Sequence, residues 1–451
     1  MKDLTVGNEG RLIWRFAVPM LIGNVFQQLY QVVDSIIVGN VLGKEALASV
    51  GATFPIIFAL IALIIGLGSG FGIVISQYFG AQQMNKVKRT ISTMFIALGI
   101  LSIAMSIIGI SLSTPILKLL KLPDELMHDA STYLNIYLGG ILVFFGYNGT
   151  SAVLRGLGDS KTPLVFLIIS TVANIILDLL FVVVFEWGIA GAAWATVVST
   201  AGAFITAAIY LNRTHAILNF RLSEMKFDKM IFKQGVRIGL PTGLQQTFVA
   251  FGMMAIMGIV NGFGTDVIAA YSVGFRIDSF ASLPAMALSA ALATFTGQNL
   301  GAGKDHRVKK GLIATLLMAT AFCIVLVTTI IAFRQHIVGV FNSDPEVIRI
   351  GSEYLTIVNL FYFFFILMFI FYGVLRGAGA TLVPMFISVL SLWIIRVPLA
   401  AVLSKHMGET GIWWSVPIAW AVGMTGAFIY YISGKWKGKV VTQEESNEPI
   451  P

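Results

Sequence analysis

The chain has 451 residues, of which 57% are hydrophobic and only 12% are charged, with a formal net charge of +8. Soluble proteins carry about 25% charged residues, so this composition excludes a soluble protein of two or three domains. The single cysteine, Cys323, excludes a disulfide framework and a cysteine-built zinc or iron–sulfur site. The remaining class is a multi-pass protein of the lipid bilayer.

Long apolar stretches predict twelve membrane-spanning helices. In chain order they cover 12–37, 46–76, 90–114, 132–154, 163–186, 189–211, 236–260, 266–296, 311–333, 351–375, 382–404 and 411–434. Of the 30 Lys and Arg residues, 22 lie in one set of connecting segments and 6 in the opposite set. The positive-inside rule then predicts a cell membrane protein with both termini in the cytoplasm. The excess of basic residues therefore indicates how the chain is oriented in the membrane, and we expect no nucleic-acid partner.

The sequence repeats itself at a constant offset of 221 residues. Residues 77–81 (QYFGA) return as 298–302 (QNLGA), and 154–158 (LRGLG) return as 375–379 (LRGAG). Each half holds six predicted spans, and an even number returns the chain to the same side of the membrane. The halves are therefore parallel repeats, an architecture typical of transporters whose substrate pathway runs between the halves.

The repeat predicts an all-α membrane protein of twelve helices in two six-helix lobes. The predicted divisions are an amino-terminal lobe over 1–211, a cytoplasmic connector over 212–235, a carboxy-terminal lobe over 236–434 and a disordered cytoplasmic tail over 435–451.

Several polar residues lie inside predicted spans of the first half. Gln27, Tyr30 and Asp34 share one face of the first span, because they are spaced i, i+3 and i+7. Asn174 and Asp178 are four residues apart on the fifth span and also share a face. Ionisable groups at membrane depth cost at least about 2.5–3.5 kcal/mol on insertion scales, which makes them functional candidates.

Thr196 adds a hydroxyl in the sixth span. The positions that correspond to Asp34, Asn174 and Asp178 in the second half are apolar. If these polar residues had only a structural role, both repeats should carry them. Their restriction to the first half therefore favours a functional role. The alternatives stay open: interhelical hydrogen bonds for Asp34 and Asn174, a hydrated position for Asp178, and a bond from Thr196 to its own helix.

Two carboxylates in a poorly hydrated pocket cannot both ionise at low cost, so we expect the pair to share a proton. The same carboxylates, with the Asn and Thr oxygens, could equally hold a sodium ion. The residue pattern leaves proton and sodium open.

Other charged residues have simpler interpretations. Arg276 and Asp278 lie on different faces of the eighth span, and each is expected to form a structural ion pair with another partner. Arg396 lies near a helix end and is expected to extend towards the membrane surface. Asp159 completes the Gly-x-Gly-Asp string of intramembrane aspartyl proteases, but its place at a helix end predicts a turn and helix start.

The combined motifs resemble the multidrug and toxic compound extrusion (MATE) family, DinF-like branch, over about residues 10–435. The segments that carry the resemblance are Pro19 with 33–39 (VDSIIVG), 155–163 (RGLGDSKTP), 174–178 (NIILD), 188–196 (GIAGAAWAT) and 297–302 (GQNLGA). The resemblance implies twelve helices in two lobes and export of organic, often cationic and lipophilic, compounds in exchange for H+ or Na+ by alternating access. It implies a transporter without enzymatic activity or cofactor, and we expect a monomer.

On this resemblance, Asp34, Asn174, Asp178 and Thr196 form the cation-coupling site, and Tyr30, Gln27 and Asp34 contact the substrate. The acids that the NorM-like branch carries in its seventh and tenth spans correspond to Val249 and Phe365. A sodium site in the carboxy-terminal lobe is therefore not expected. The alternatives are a lipid-linked oligosaccharide flippase of the same superfamily and, more remotely, an intramembrane aspartyl protease.

Overall fold

The structure, a computed structural model, describes residues 2–119, 122–214 and 224–444, and these contain helices and no strand. The helices of the first half are α1 (Glu9–Ile37), α2 (Lys44–Gly80), α3 (Met84–Leu119), α4 (Asp124–Gly139), α5 (Ile141–Gly156), α6 (Lys161–Asp178) and α7 (Gly188–Thr214).

The second half continues with α8 (Lys229–Val260), α9 (Thr265–Gly301), α10 (Asp305–Phe341), α11 (Pro345–Leu360), α12 (Tyr362–Gly377), α13 (Leu382–Val389), α14 (Val397–Met407), α15 (Glu409–Ile432) and α16 (Val441–Glu444). Three wide π-helical segments interrupt the α-helices, at Val38–Leu42, Leu179–Val184 and Leu390–Arg396. Short 3-10 turns lie at Asn261–Phe263 and Lys437–Lys439.

Within the described residues, nine helices are long and apolar enough to cross a membrane, and two bent pairs raise the number to eleven. The twelfth is α1, which is 29 residues long. It is less apolar than the others because it carries Gln27, Gln28, Gln31 and Asp34. The predicted all-α fold with twelve membrane helices is confirmed.

Two predicted spans are bent in the middle. The fourth consists of α4 and α5 with a 48° bend at Gly140, and the tenth of α11 and α12 with a 47° bend at Phe361. Paired glycines favour a kink at 139–140. Phe361 is the residue that corresponds to Gly140 in the second repeat, and it is not a glycine. The bend is therefore a feature of the repeated backbone and does not require glycine.

The chain divides into two compact units. The first contains 1–3 and 22–243, and the second contains 4–21 and 244–451. Two helices thus change unit along their length: α1 after Leu21 and α8 after Gly243. In the first unit, α2 packs directly on the first part of α8. A Cβ at Gly70 would lie 2.4 Å from Gly239 Cα, so only glycine permits this approach.

In the second unit, the amino-terminal segment is fixed by the repeated 298–302 motif. Leu4 is buried, its N–H donates to Gln298 Oε1 at 2.9 Å, and its carbonyl accepts from Asn299 Nδ2 at 3.2 Å. Arg307 forms a salt bridge to Glu9 at 3.1 Å. The distribution of Lys and Arg predicts on which side of the membrane this segment lies, but it does not predict that the segment is folded.

The predicted disordered tail over 435–451 is wrong for residues 435–444. Trp436 is buried, stacks on Tyr431 at 5.6 Å and donates from Nε1 to the Tyr431 carbonyl at 2.8 Å. This aromatic contact holds the chain against α15 beyond its end. Residues 445–451 lie outside the described residues, as do 215–223 of the predicted connector over 212–235.

Candidate cation-coupling site

The candidate acids lie where helices of the first unit change geometry. Asp34 is one turn before the π-helical segment Val38–Leu42, and Asp178 immediately precedes the segment Leu179–Val184. The two segments pack against each other. Wide helical turns of this kind occur frequently at functional sites, because they rotate side chains and free backbone groups.

Asp34 and Asp178 interact with each other through their carboxyl groups. Asp178 is only 1% exposed, and no donor among the described residues reaches the buried Oδ1 atom of either side chain. Two neighbouring carboxyl groups with little access to water cannot both be ionised at low cost. The arrangement is therefore suited to a pair that shares one proton.

Asn174 and Thr196 frame this pair. In the amide orientation that satisfies both neighbours, Asn174 Nδ2 donates to Asp178 Oδ2 at 2.9 Å and its Oδ1 accepts from the Thr196 N–H at 3.2 Å. The Thr196 hydroxyl donates to the Ala192 carbonyl at 3.1 Å and lies 3.3 Å from the Tyr30 hydroxyl. These contacts join α1, α6 and α7 around the carboxyl pair.

The structure brings together Tyr30, Asp34, Asn174, Asp178 and Thr196. Gln27 is exposed and its side chain makes no hydrogen bond to a described residue, although it shares the face of α1 with Tyr30. Its predicted substrate contact stays a prediction.

Two tyrosines of α4 complete the surroundings and were missed by sequence reasoning. Tyr133 and Tyr137 are 7% and 5% exposed, and Tyr133 interacts electrostatically with Asp34 and Asp178. Their i, i+4 spacing was the available signal. It did not separate them from the many other aromatic residues of the chain.

Three further charged residues differ from expectation. Neither Arg276 nor Asp278 forms an ion pair within the described residues: Arg276 is exposed, and Asp278 accepts a hydrogen bond from Tyr354. Arg396 is 5% exposed and does not extend to a surface. It ends the π-helical segment Leu390–Arg396, and this wide turn directs it inwards.

Asp159 confirms the prediction of a turn and helix start. Its Oδ1 accepts from the backbone N–H groups of Lys161 and Thr162, both at 3.0 Å, and its Oδ2 accepts from the Thr162 hydroxyl at 2.6 Å. This carboxylate caps α6.

Across 2–119, 122–214 and 224–444, no group of three or more His, Cys, Asp or Glu side chains could hold a metal ion. What the carboxyl pair can do is bind and release a proton, or hold one monovalent cation with the Thr196 and Tyr30 oxygens. A repeated pair of six-helix lobes with such a buried site defines a membrane transporter.

The comparison with known families gives the same class. The MatE family model matches residues 19–180 and 241–402, one match in each half. The chain belongs to the MatE family; its members are membrane transporters and not enzymes.

Similar proteins cover nearly the whole chain. It is 35% identical to the probable multidrug resistance protein YpnP of Bacillus subtilis, over 98% of this chain and 99% of that protein. It is 32% identical to the probable multidrug resistance protein YoeA of the same organism, over 96% of each. A crystal structure of MATE in the bent conformation matches with a TM-score of 0.90 at 22% identity, over 99% of this chain and 98% of that one, which shows the shared fold.

Proposed function

We propose that this protein exports organic compounds, often cationic and lipophilic, in exchange for protons entering through the Asp34–Asp178 pair. The observation that carries the proposal is the interaction of two carboxyl groups in the first unit, of which Asp178 is fully buried and Asp34 has a buried Oδ1. The names of the two Bacillus relatives support multidrug substrates.

Coupling follows from the charge of the pair. When the pair holds one proton it carries one negative charge, which attracts a cationic substrate. A second proton from outside removes that charge and the attraction, so the substrate leaves. Because the two states bind the substrate with different affinities, proton entry and substrate exit are linked by alternating access. Sodium entering the same pair is the alternative coupling ion, since it would also remove the charge.

The test uses purified protein in liposomes loaded with a fluorescent lipophilic cation. A pH gradient and a sodium gradient are imposed separately on the wild type, Asp34→Asn and Asp178→Asn. We expect a pH gradient to drive dye movement in the wild type, and both substitutions to reduce the rate to that of protein-free liposomes.

Asp124→Asn is the matched control, because it removes an exposed carboxylate at the start of α4 in the same unit. It should transport at the wild-type rate. Wild-type transport by Asp34→Asn contradicts the coupling role. Movement driven only by sodium identifies sodium as the coupling ion, and no movement under either gradient with folded protein contradicts export of lipophilic cations.

We further propose a cell membrane location with both termini in the cytoplasm, supported by the excess of Lys and Arg in one set of connecting segments. A green fluorescent protein fused to the carboxyl terminus should fluoresce in cells, and a dark fusion contradicts this orientation. We also propose a monomer, and light scattering of the detergent-solubilised protein measures its mass.

A further inference from the structure

The second unit contains a carboxyl group with one buried oxygen that the proposed export mechanism does not use. Asp278 lies on α9, and its Oδ2 accepts a hydrogen bond from the Tyr354 hydroxyl of α11 at 2.5 Å. Its Oδ1 is buried and has no partner among the described residues. A carboxylate oxygen in this position is either an uncompensated negative charge or the attachment point of a proton.

Aromatic side chains keep this carboxyl group away from water. Trp413 packs edge-on against Tyr354 at 4.9 Å and stacks on Tyr271 at 5.8 Å. The three rings are between 0% and 4% exposed. In such surroundings the charged form of Asp278 depends on a nearby positive charge.

The only buried cation near Asp278 in the described part of the chain is Arg396. It interacts electrostatically with Asp278, Tyr354 and Tyr271, but no carboxylate of the described residues lies within ion-pair distance of it. Its Nη1 contacts Met253 Sδ at 3.5 Å, and its buried Nε has no partner. Since a guanidinium stays charged in proteins, the two charges balance only while Asp278 is ionised.

We propose that Asp278 is a second proton-binding group, in the second unit, and that Arg396 is its resident counter-charge. This site acts independently of the Asp34–Asp178 pair and does not depend on the proposed export function. A proton bound at Asp278 Oδ1 leaves Arg396 without a counter-charge, so the cluster changes from neutral to one positive charge. Arg396 ends the π-helical segment Leu390–Arg396, which connects α13 to α14.

The titratable groups around Asp278 come from several helices. Those that interact with Asp278 are Tyr271 of its own helix, Tyr354 of α11, Tyr362 of α12 and Arg396, and Cys323 of α10 interacts with Tyr362. The neighbouring α15 contributes Trp413 and α8 contributes Met253, neither of which titrates. Arg396 is thus the one charged group in this set whose removal should alter the proton affinity of Asp278 strongly.

The experiment measures protonation directly by infrared difference spectroscopy on the full-length protein in lipid nanodiscs, between acid and alkaline pH. The wild type should show a carbonyl band of a protonated carboxylic acid that disappears at alkaline pH. Because the Asp34–Asp178 pair can contribute a band of its own, the band of Asp278 is read in an Asp34→Asn, Asp178→Asn double variant. This double variant should keep a band, and adding Asp278→Asn to it should remove that band. Absence of a band in the double variant overturns the proposal, as does a band that persists after Asp278→Asn is added.

Two further variants keep the test decisive where Asp278→Asn does not fold. Tyr354→Phe removes the hydroxyl that donates to Oδ2 and should shift the frequency of the same band. Arg396→Gln removes the counter-charge, so the band should persist to a pH at least one unit more alkaline. An unchanged band in both variants assigns it to another carboxyl group and overturns the proposal.

Discussion

The contact between α2 and the first part of α8 makes a quantitative prediction about Gly70. A Cβ added at this position would lie 2.4 Å from Gly239 Cα and N and 2.5 Å from the Gly235 carbonyl oxygen. All three obstacles are backbone atoms, so no side chain can rotate away. Gly70→Ala must therefore separate the two helices at their crossing.

The required separation is about 1 Å, because ordinary contacts of a Cβ begin at 3.4 Å and the available distance is 2.4 Å. Overpacking of this kind costs about 1–3 kcal/mol. For a unit of roughly 220 residues, 1 kcal/mol corresponds to about 2–4 °C in the midpoint of thermal unfolding. We expect Gly70→Ala to lower the midpoint by about 2–12 °C.

Gly51→Ala is the matched control on the same helix, because nothing lies within 4 Å of a Cβ there. It should unfold at the wild-type temperature or slightly above it, since alanine favours a helix by up to about 1 kcal/mol over glycine. Thermal unfolding in detergent, followed by size-exclusion chromatography of the heated samples, measures both variants. An equal midpoint for Gly70→Ala and Gly51→Ala refutes the close helix contact.

Three further substitutions test other contacts. Tyr30→Phe removes the hydroxyl 3.3 Å from Thr196, and we expect slower gradient-driven transport in liposomes with an unchanged unfolding midpoint; wild-type rates contradict a role for this hydroxyl. Asn299→Ala leaves the buried carbonyl of Leu4 without its hydrogen-bond donor, which costs about 1–3 kcal/mol. We expect this variant to unfold at a lower temperature. An unchanged midpoint shows that the amino-terminal segment is not held there. Arg349→Ala breaks only exposed ion pairs and should leave the midpoint unchanged, so a large drop would assign them a structural role.

Much of the candidate site could be predicted because helical periodicity fixes which residues share a face. Asn174 and Asp178 are four apart, so any α-helix places them together, and Tyr30 with Asp34 follows the same rule. The meeting of these two helices was inferred from the restriction of the acids to the first half and from the family resemblance. The contribution of Tyr133 was not inferable, since an aromatic residue in a membrane span is equally suited to lipid, core or site.

The features missed from the sequence are those in which the backbone departs from an ideal helix. Arg396 was predicted to extend towards the membrane surface because it lies near the end of a predicted span. The chain instead makes a π-helical segment that ends at Arg396 and turns it into the core. A π-helical turn contains more residues than an α-helical turn, so every later side chain points in a different direction from the one expected for a continuous α-helix. The hydropathy of the sequence does not indicate this rotation. The bend at Phe361 was hidden for the same reason.

The two units share their repeated backbone but carry opposite charge arrangements. In the first unit, Asp34 and Asp178 have the same sign, so a proton or another cation must bind before the pair can be enclosed at low cost. In the second unit, Asp278 and Arg396 have opposite signs and are neutral together without any bound ion. We therefore expect the first unit to need a bound ion and the second unit to be stable without one. This difference supports the proposal that ion and substrate are coupled in the first unit, and the proposed role of Asp278 is then to adjust the protein's response to pH.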